Sequence, residues 1–294
     1  MKYSSTSVAL IQQHSEQTYE NNIKKALHLI KKAVSEGGRI VCLPELFLSD
    51  YFCKAYDEQH FDLAEPVPGP TVKTIQEAAK VYEAVILCSI FEKDGPLHYN
   101  TLAVIDADGS YLGKYRKMHI PDDPGFYEKY YFTPGDLGYK VFSTRYGRVG
   151  TLICWDQWFP EAARITAMKG ADILVYPTAI AALEEETDQQ QKEYHKAWRT
   201  IQQSHAIANG CYVASVNRVG VEDGMKFWGG SFVADPMGNV TAEAGSEEEV
   251  LLCDCDWNRN EQVRREWPFF RDRRIDSYQA LTGRWTADDL QQPD

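Results

Sequence analysis

Cys154, Glu45, Lys117 and Glu128 lie far apart along a chain of 294 residues, and together they could perform acyl-transfer chemistry. Cys154 stands in "TLICWDQWFPE" (151–161), where an apolar run stops and Pro160 follows six residues on. A cysteine inside such a run is ordinarily a small buried hydrophobe. At the C-terminal end of a strand, ahead of a helix whose N–H groups can point at it, the same residue is well placed as a nucleophile. Its thiol then needs a proton acceptor. His14, His28, His60 and His98 fall in segments that read as loop or exposed helix, and His195 and His205 on a long helix. Only His119, in "KYRKMHIP", stands among other candidates, so a Cys–His hydrolase stays open through that residue.

Glu45 offers a different base. "VCLPELF" sets its carboxylate directly after a strand and a proline, beside Leu46 and Phe47. Desolvation in an apolar setting raises a carboxylate's pKa and makes it a better base towards a thiol. Lys117 ends the strand "YLGKYRK". Most lysines there are solvated, but a buried ammonium beside a carboxylate stays charged and stabilises a developing oxyanion. Glu128, in "DDPGFYEKYYFTPGD", is either a surface charge or part of an aromatic wall packed over something.

The elements that must position these residues alternate. "SVALIQQ" (7–13) reads as a buried strand, "TYENNIKKALHLIKKAVSEGG" (18–38) as an amphipathic helix ended by glycines, and "RIVCLPE" (39–45) as a second strand. A helix over 70–84 leads into the strand "VILCSIFEK", and 97–117 reads as a hairpin turning at Asp108-Gly109. The strand 148–155 runs into the helix "PEAARITAMKG" and the strand "ADILVYPTAI". A long helix around 191–210 and the strands "CYVASVNRV" and "GGSFVADPMG" follow. Hairpins mixed with βα units predict an α/β fold with mixed sheets, two of them packed face to face with helices outside. Without a linker or repeat, residues 1–267 read as one domain. The aromatic and arginine-rich tail 268–294 is expected to dock at a subunit interface.

Lys and Arg number 31 against 43 Asp and Glu, a formal charge of -12 that argues against nucleic-acid and anionic-membrane partners and favours a cationic substrate. The N-terminus lacks an apolar leader and no stretch reaches the ~20 apolar residues of a membrane span, which gives a cytoplasmic reading. Seven cysteines without C-x-x-C spacing argue against a disulfide framework or a zinc site.

Glu45 in "CLPELF", Lys117 in "KYRKMHIPD" and Cys154 in "LICWDQWFPE" occur in the order Glu, Lys, Cys, and the sequence resembles the carbon-nitrogen hydrolase (nitrilase) superfamily. "YPTAI" (176–180), "VNRVG" (216–220) and "GGSFVADPMG" (229–238) extend the likeness over nearly the whole chain. The resemblance implies a four-layer αββα sandwich, no metal or organic cofactor, and homodimers that can build larger assemblies. It also implies a Glu45-Lys117-Cys154 triad assisted by Glu128. Glu45 would take the thiol proton as Cys154 attacks a ureido carbon, and Lys117 with the backbone N–H of Trp155 would hold the oxyanion. Such donors are each worth about 3 to 4 kcal/mol.

A small cationic ureido substrate is expected, because no arginine follows Cys154 until Arg164 while acidic residues are plentiful. Asp122, Asp123 and Glu184 are the candidates for its ammonium, with Tyr127, Tyr130 and Trp158 lining the site. The run Glu184-Glu185-Glu186 reads equally as a solvated charge run. The same triad would also serve a β-ureidopropionase, an ω-amidase or an aliphatic amidase. A binding-only scaffold of the same fold would be expected to lack one of the three residues, and all are present.

Overall fold

The first apolar run forms β1 (Ser5–Gln12), and its side chains divide with the period of two that a strand imposes. Val8 and Leu10 enter one apolar cluster, Ala9 and Ile11 another. The neighbouring strand β2 (Ile40–Cys42) divides in the same way, with Ile40 and Cys42 on the first side and Val41 on the second. A sheet buried on both faces must lie between two further layers. A computed structural model describes residues 4–285 and supplies them.

The first sheet has the order β15 (Glu249–Asp256), β1, β2, β3 (Val85–Asp94), β4 (Leu97–Ile105), β5 (Tyr111–Arg116). The second has the order β14 (Val240–Glu243), β13 (Phe232–Ala234), β10 (Tyr212–Val216), β8 (Ile173–Pro177), β7 (Gly147–Thr151), β6 (Lys140–Thr144). Both are mixed in the same way. Two parallel pairs form the centre, β1·β2·β3 in one and β7·β8·β10 in the other, flanked by antiparallel strands. A small third sheet, β11 (Val219–Glu222), β12 (Met225–Trp228) and β9 (Ala181–Leu183), rises beside them.

Helices α1 (Tyr19–Ser35) and α2 (Pro70–Tyr82) cover the outer face of the first sheet through Ala26, Ile30, Ala33, Val72, Ile75 and Ala79. Thr18 caps α1, accepting from Asn21 N–H, and Pro70 opens α2 where a missing N–H costs nothing. Helices α4 (Pro160–Met168) and α5 (Asp188–Asn209) cover the second sheet through Ala163, Ala167, Trp198 and Ala206. The layers are helix, sheet, sheet, helix, the expected αββα sandwich. Each fully buried Val, Leu or Ile in it contributes about 1.5 to 3 kcal/mol. Among the described residues, no helix is long and apolar enough to cross a membrane.

Several boundaries differ from expectation for local reasons. β7 ends at Thr151, not at residue 155, because the chain turns at Ile153 and enters a 3-10 turn over Cys154–Trp158. Cys154 therefore lies just beyond the strand end. β2 stops at Cys42 ahead of Pro44, and α5 begins three residues early because Thr187 and Gln190 form a capping box. β15 and the helix α6 (Trp257–Glu266) were not anticipated, since Asp254 and Asp256 interrupt the apolar pattern. In the tail, Phe270 lies beneath the guanidinium groups of Arg164 and Arg264, and Arg273 reaches Met168 of α4. Phe270 and Arg273 thus touch the same chain, most of 274–285 is exposed, and residues 286–294 lie outside the described residues.

Candidate active site

Each of the four chemical side chains is delivered by the end of an element. Glu45 follows β2 on a tight turn whose next residue, Leu46, has φ 49°. Ser89 Oγ accepts the Leu46 N–H (3.1 Å), while Arg218 donates to the carbonyls of Leu46 (3.0 Å) and Ser49 (2.7 Å). Lys117 is one residue past β5 and continues its ladder, donating its N–H to Asn100 O at 2.8 Å. Glu128 opens the single-turn helix α3 (Glu128–Tyr131), so the aromatic segment read as a loop contains a helical turn. Cys154 has φ 41°, a left-handed conformation that costs a residue with a Cβ about 1 to 2 kcal/mol and lifts its side chain out of the strand direction.

These ends converge. Lys117 Nζ donates to Glu45 Oε1 at 2.8 Å and to Glu128 Oε2 at 2.6 Å, and none of the three side chains is more than 1% exposed. Asn100 Nδ2 donates to Glu45 Oε1 (2.7 Å), and the Tyr51 hydroxyl donates to Glu128 Oε1 (2.8 Å). Glu45 Oε2 is buried and makes no hydrogen bond. The surroundings of the Cys154 thiol are set by burial, then by the charges of Glu45, Lys117 and Glu128.

The electrostatics follow from one cation serving two carboxylates. Burial raises the Cys154 pKa well above the ordinary thiol value, Glu45 adds to that, and Lys117 opposes it, so the resting group is a thiol. Burial alone would lower the pKa of Lys117, but Glu128 and Glu45 outweigh it and hold the ammonium charged. Burial raises Glu128 to about 7 against the pull of Lys117, with the Glu45 charge adding to the rise. A protonated thiol beside a carboxylate and a fixed ammonium has a proton acceptor and an oxyanion partner at hand. That is the equipment for nucleophilic attack on a carbonyl or ureido carbon.

His119 does not share this arrangement. Its Nδ1 lies 2.7 Å from Asp156 Oδ1 and its ring stacks on Phe159 at 3.7 Å. Of the other expected residues, Asp122 is exposed and bears electrostatically on Tyr56, whose ring lies 4.8 Å from Tyr127 and 5.0 Å from Tyr130. Asp123 is exposed and pairs through its backbone with Phe126, Trp158 packs against the sandwich core, and Glu184 lies against the turn at Gly224. Sequence reasoning missed Tyr51, Ser89, Asn100 and Arg218, which orient the carboxylates and their turn. Arg218 alone had a signal, its place in "VNRVG". Above the site, Tyr51, Phe126 and Phe227 pack together with ring centroids 5.7 and 5.9 Å from Tyr51. Among the described residues, no group of three or more His, Cys, Asp or Glu could hold a metal ion.

An αββα sandwich with a buried Glu, Lys and Cys at converging strand ends defines a class, and the chain belongs to the carbon-nitrogen hydrolase family, whose model matches residues 7–265. It is an enzyme that hydrolyses carbon–nitrogen bonds other than peptide bonds. The chain is 43% identical to the N-carbamoylputrescine amidase of Solanum lycopersicum over 284 residues, 93% of this chain and 94% of that one. It is 42% identical to a citrullinase of Francisella tularensis, over 95% and 98% of the two chains. A carbon-nitrogen hydrolase crystal structure from Helicobacter pylori G27 superposes with a TM-score of 0.93 at 43% identity, covering 96% of this chain and all of that one.

Proposed function

We propose that this protein hydrolyses N-carbamoylputrescine to putrescine, carbon dioxide and ammonia in polyamine biosynthesis. The observation that carries the reading is the Lys117 ammonium bridging Glu45 and Glu128 beside the Cys154 thiol. Glu45 takes the thiol proton as the sulfur attacks the ureido carbon. The oxyanion forms between Lys117 and the Trp155 backbone N–H, and Glu128 holds Lys117 in place. Collapse expels ammonia, which leaves with the proton from Glu45, and an S-carbamoyl enzyme remains with the aminobutyl chain on its nitrogen. Water activated by Glu45 attacks that carbon, the thiol re-forms, and the released carbamic acid loses carbon dioxide to give putrescine. Every step uses groups of this chain.

For the substrate's ammonium we favour Asp122, whose neighbours Tyr56 and Tyr127 offer ring faces to a cation and its aliphatic chain. Asp123, Glu184, Tyr130 and Trp158 are less well placed. The citrullinase likeness favours one second reading, citrulline, which carries the same ureido end on a tail with both ammonium and carboxylate. Ammonia release from N-carbamoylputrescine, citrulline, a carbamoyl β-amino acid and simple amides decides. Preference for N-carbamoylputrescine is expected, and preference for the carbamoyl β-amino acid would defeat the cationic reading. A cytoplasmic setting accords with seven free cysteines. Homodimers would bury Ile165, Met168, Ile207, Trp267 and Phe269, which are all 39% or more exposed beside α4, α5 and the tail.

A further inference from the structure

Asp156 lies two residues beyond Cys154 with no solvent exposure. Its Oδ2 accepts from the Ile153 N–H (3.0 Å) and the Tyr115 hydroxyl (2.7 Å). Its Oδ1 accepts from the His119 N–H (3.1 Å) and His119 Nδ1 (2.7 Å), and its own N–H donates to Ile153 O (3.0 Å). The Tyr115 oxygen accepts in turn from the Met118 N–H at 3.3 Å. Ile153 belongs to the turn that carries Cys154, whereas Tyr115, Met118 and His119 flank Lys117 on both sides. One carboxylate therefore ties the segment bearing the thiol to the segment bearing the ammonium. The tie is needed where a left-handed Cys154 would otherwise relax.

We propose that Asp156 is a positioning residue that sets the place of Cys154 relative to Lys117, with His119 as its outer anchor. The inference rests on the reading that Cys154 and Lys117 perform the chemistry. Asp156 acts through its neighbours and not on the substrate. All four of its partners donate, which an acceptor-only carboxylate satisfies. Asparagine has nearly the same shape but one accepting oxygen, and its amide N–H groups would face two donors.

Asp156→Asn is expected to lower kcat by about 10²-fold, the cost of misplacing reacting groups by about 1 Å, with KM changed less than about threefold. His119→Leu is expected to lower kcat by about tenfold, while His119→Asn, whose side-chain N–H can stand in for Nδ1–H, keeps it within about threefold. Should Asp156→Asn not fold, the two His119 variants carry the test, with kcat normalised to folded protein by circular dichroism. A folded Asp156→Asn enzyme with wild-type kcat would overturn the proposal. So would equal losses in the two His119 variants, which would assign the effect to ring packing on Phe159, or a loss confined to KM. A failure of the underlying reading is distinguishable, because Cys154→Ser would then keep its turnover whatever the Asp156 and His119 variants do.

Discussion

Replacing Lys117 with methionine keeps the length of the side chain, deletes its charge, and leaves Glu45 and Glu128 buried without the cation they share at 2.8 and 2.6 Å. Removing one partner of a buried charge network costs about 3 to 5 kcal/mol, because the groups left behind cannot return to water. With an unfolding entropy near 2.1 cal/mol/K per residue, about 290 residues convert that to a fall in Tm of roughly 5 to 8 °C. The loss must depend on pH. Without Lys117, burial and the neighbouring Glu45 charge raise the folded-state pKa of Glu128 further above its unfolded value. A carboxylate raised in the folded state is most stabilising at low pH and loses that contribution as pH rises through its folded value. The deficit is therefore largest near about pH 8.5 and shrinks towards about pH 6, where Glu128 takes up its proton. Activity falls independently by about 10² to 10³-fold in kcat as the oxyanion loses its cation. Differential scanning fluorimetry at the two pH values, with steady-state ammonia release at the higher one, reads both effects. A Tm deficit equal at both pH values, or kcat within threefold of wild type, would show that Lys117 does not hold this buried charge network.

The same geometry bears on pH dependence and on the strand end that carries Lys117. The raised Glu128 value gives kcat/KM a rising limb with an apparent pKa near about 7. Stability runs the opposite way, since the folded state keeps a proton that the unfolded chain has lost; Tm declines as pH rises towards 7, and Glu128→Gln removes that decline. Gly135→Ala would place a Cβ 2.1 Å from Arg116 O and 3.0 Å from Lys117 O, against the strand end that carries the ammonium. A Tm lowered by at least several degrees together with reduced kcat is expected, and a wild-type Tm would show that this segment moves freely.

How much of this was legible beforehand depended on whether a residue's role was written in its own neighbourhood. The buried strands β1 and β2 and the helix α1 were legible from apolar runs and a helical period, both local properties, whereas the four-layer αββα stacking came from the family resemblance. Cys154, Glu45 and Lys117 were legible as residue types at strand ends, each just past an apolar run. Asn100 and Ser89 were not, because a polar residue within a buried strand carries no mark of the carboxylate turn it meets 55 and 43 residues away. Tyr51 was hidden in the same way, as one tyrosine among many until the fold set its hydroxyl on Glu128. The early end of β7 was also hidden, because the turn is held by the Asp156 carboxylate on Ile153 N–H and not by a glycine or proline.

The proposed hydrolysis of a ureido substrate depends above all on Cys154 as its nucleophile. Ammonia release from N-carbamoylputrescine by folded Cys154→Ser, beside wild type, tests it most directly. A fall in turnover of at least about 10³-fold is expected, since a serine hydroxyl is far less acidic than a thiol and a carboxylate is a poor base towards it. Near-normal turnover by the serine variant would contradict it.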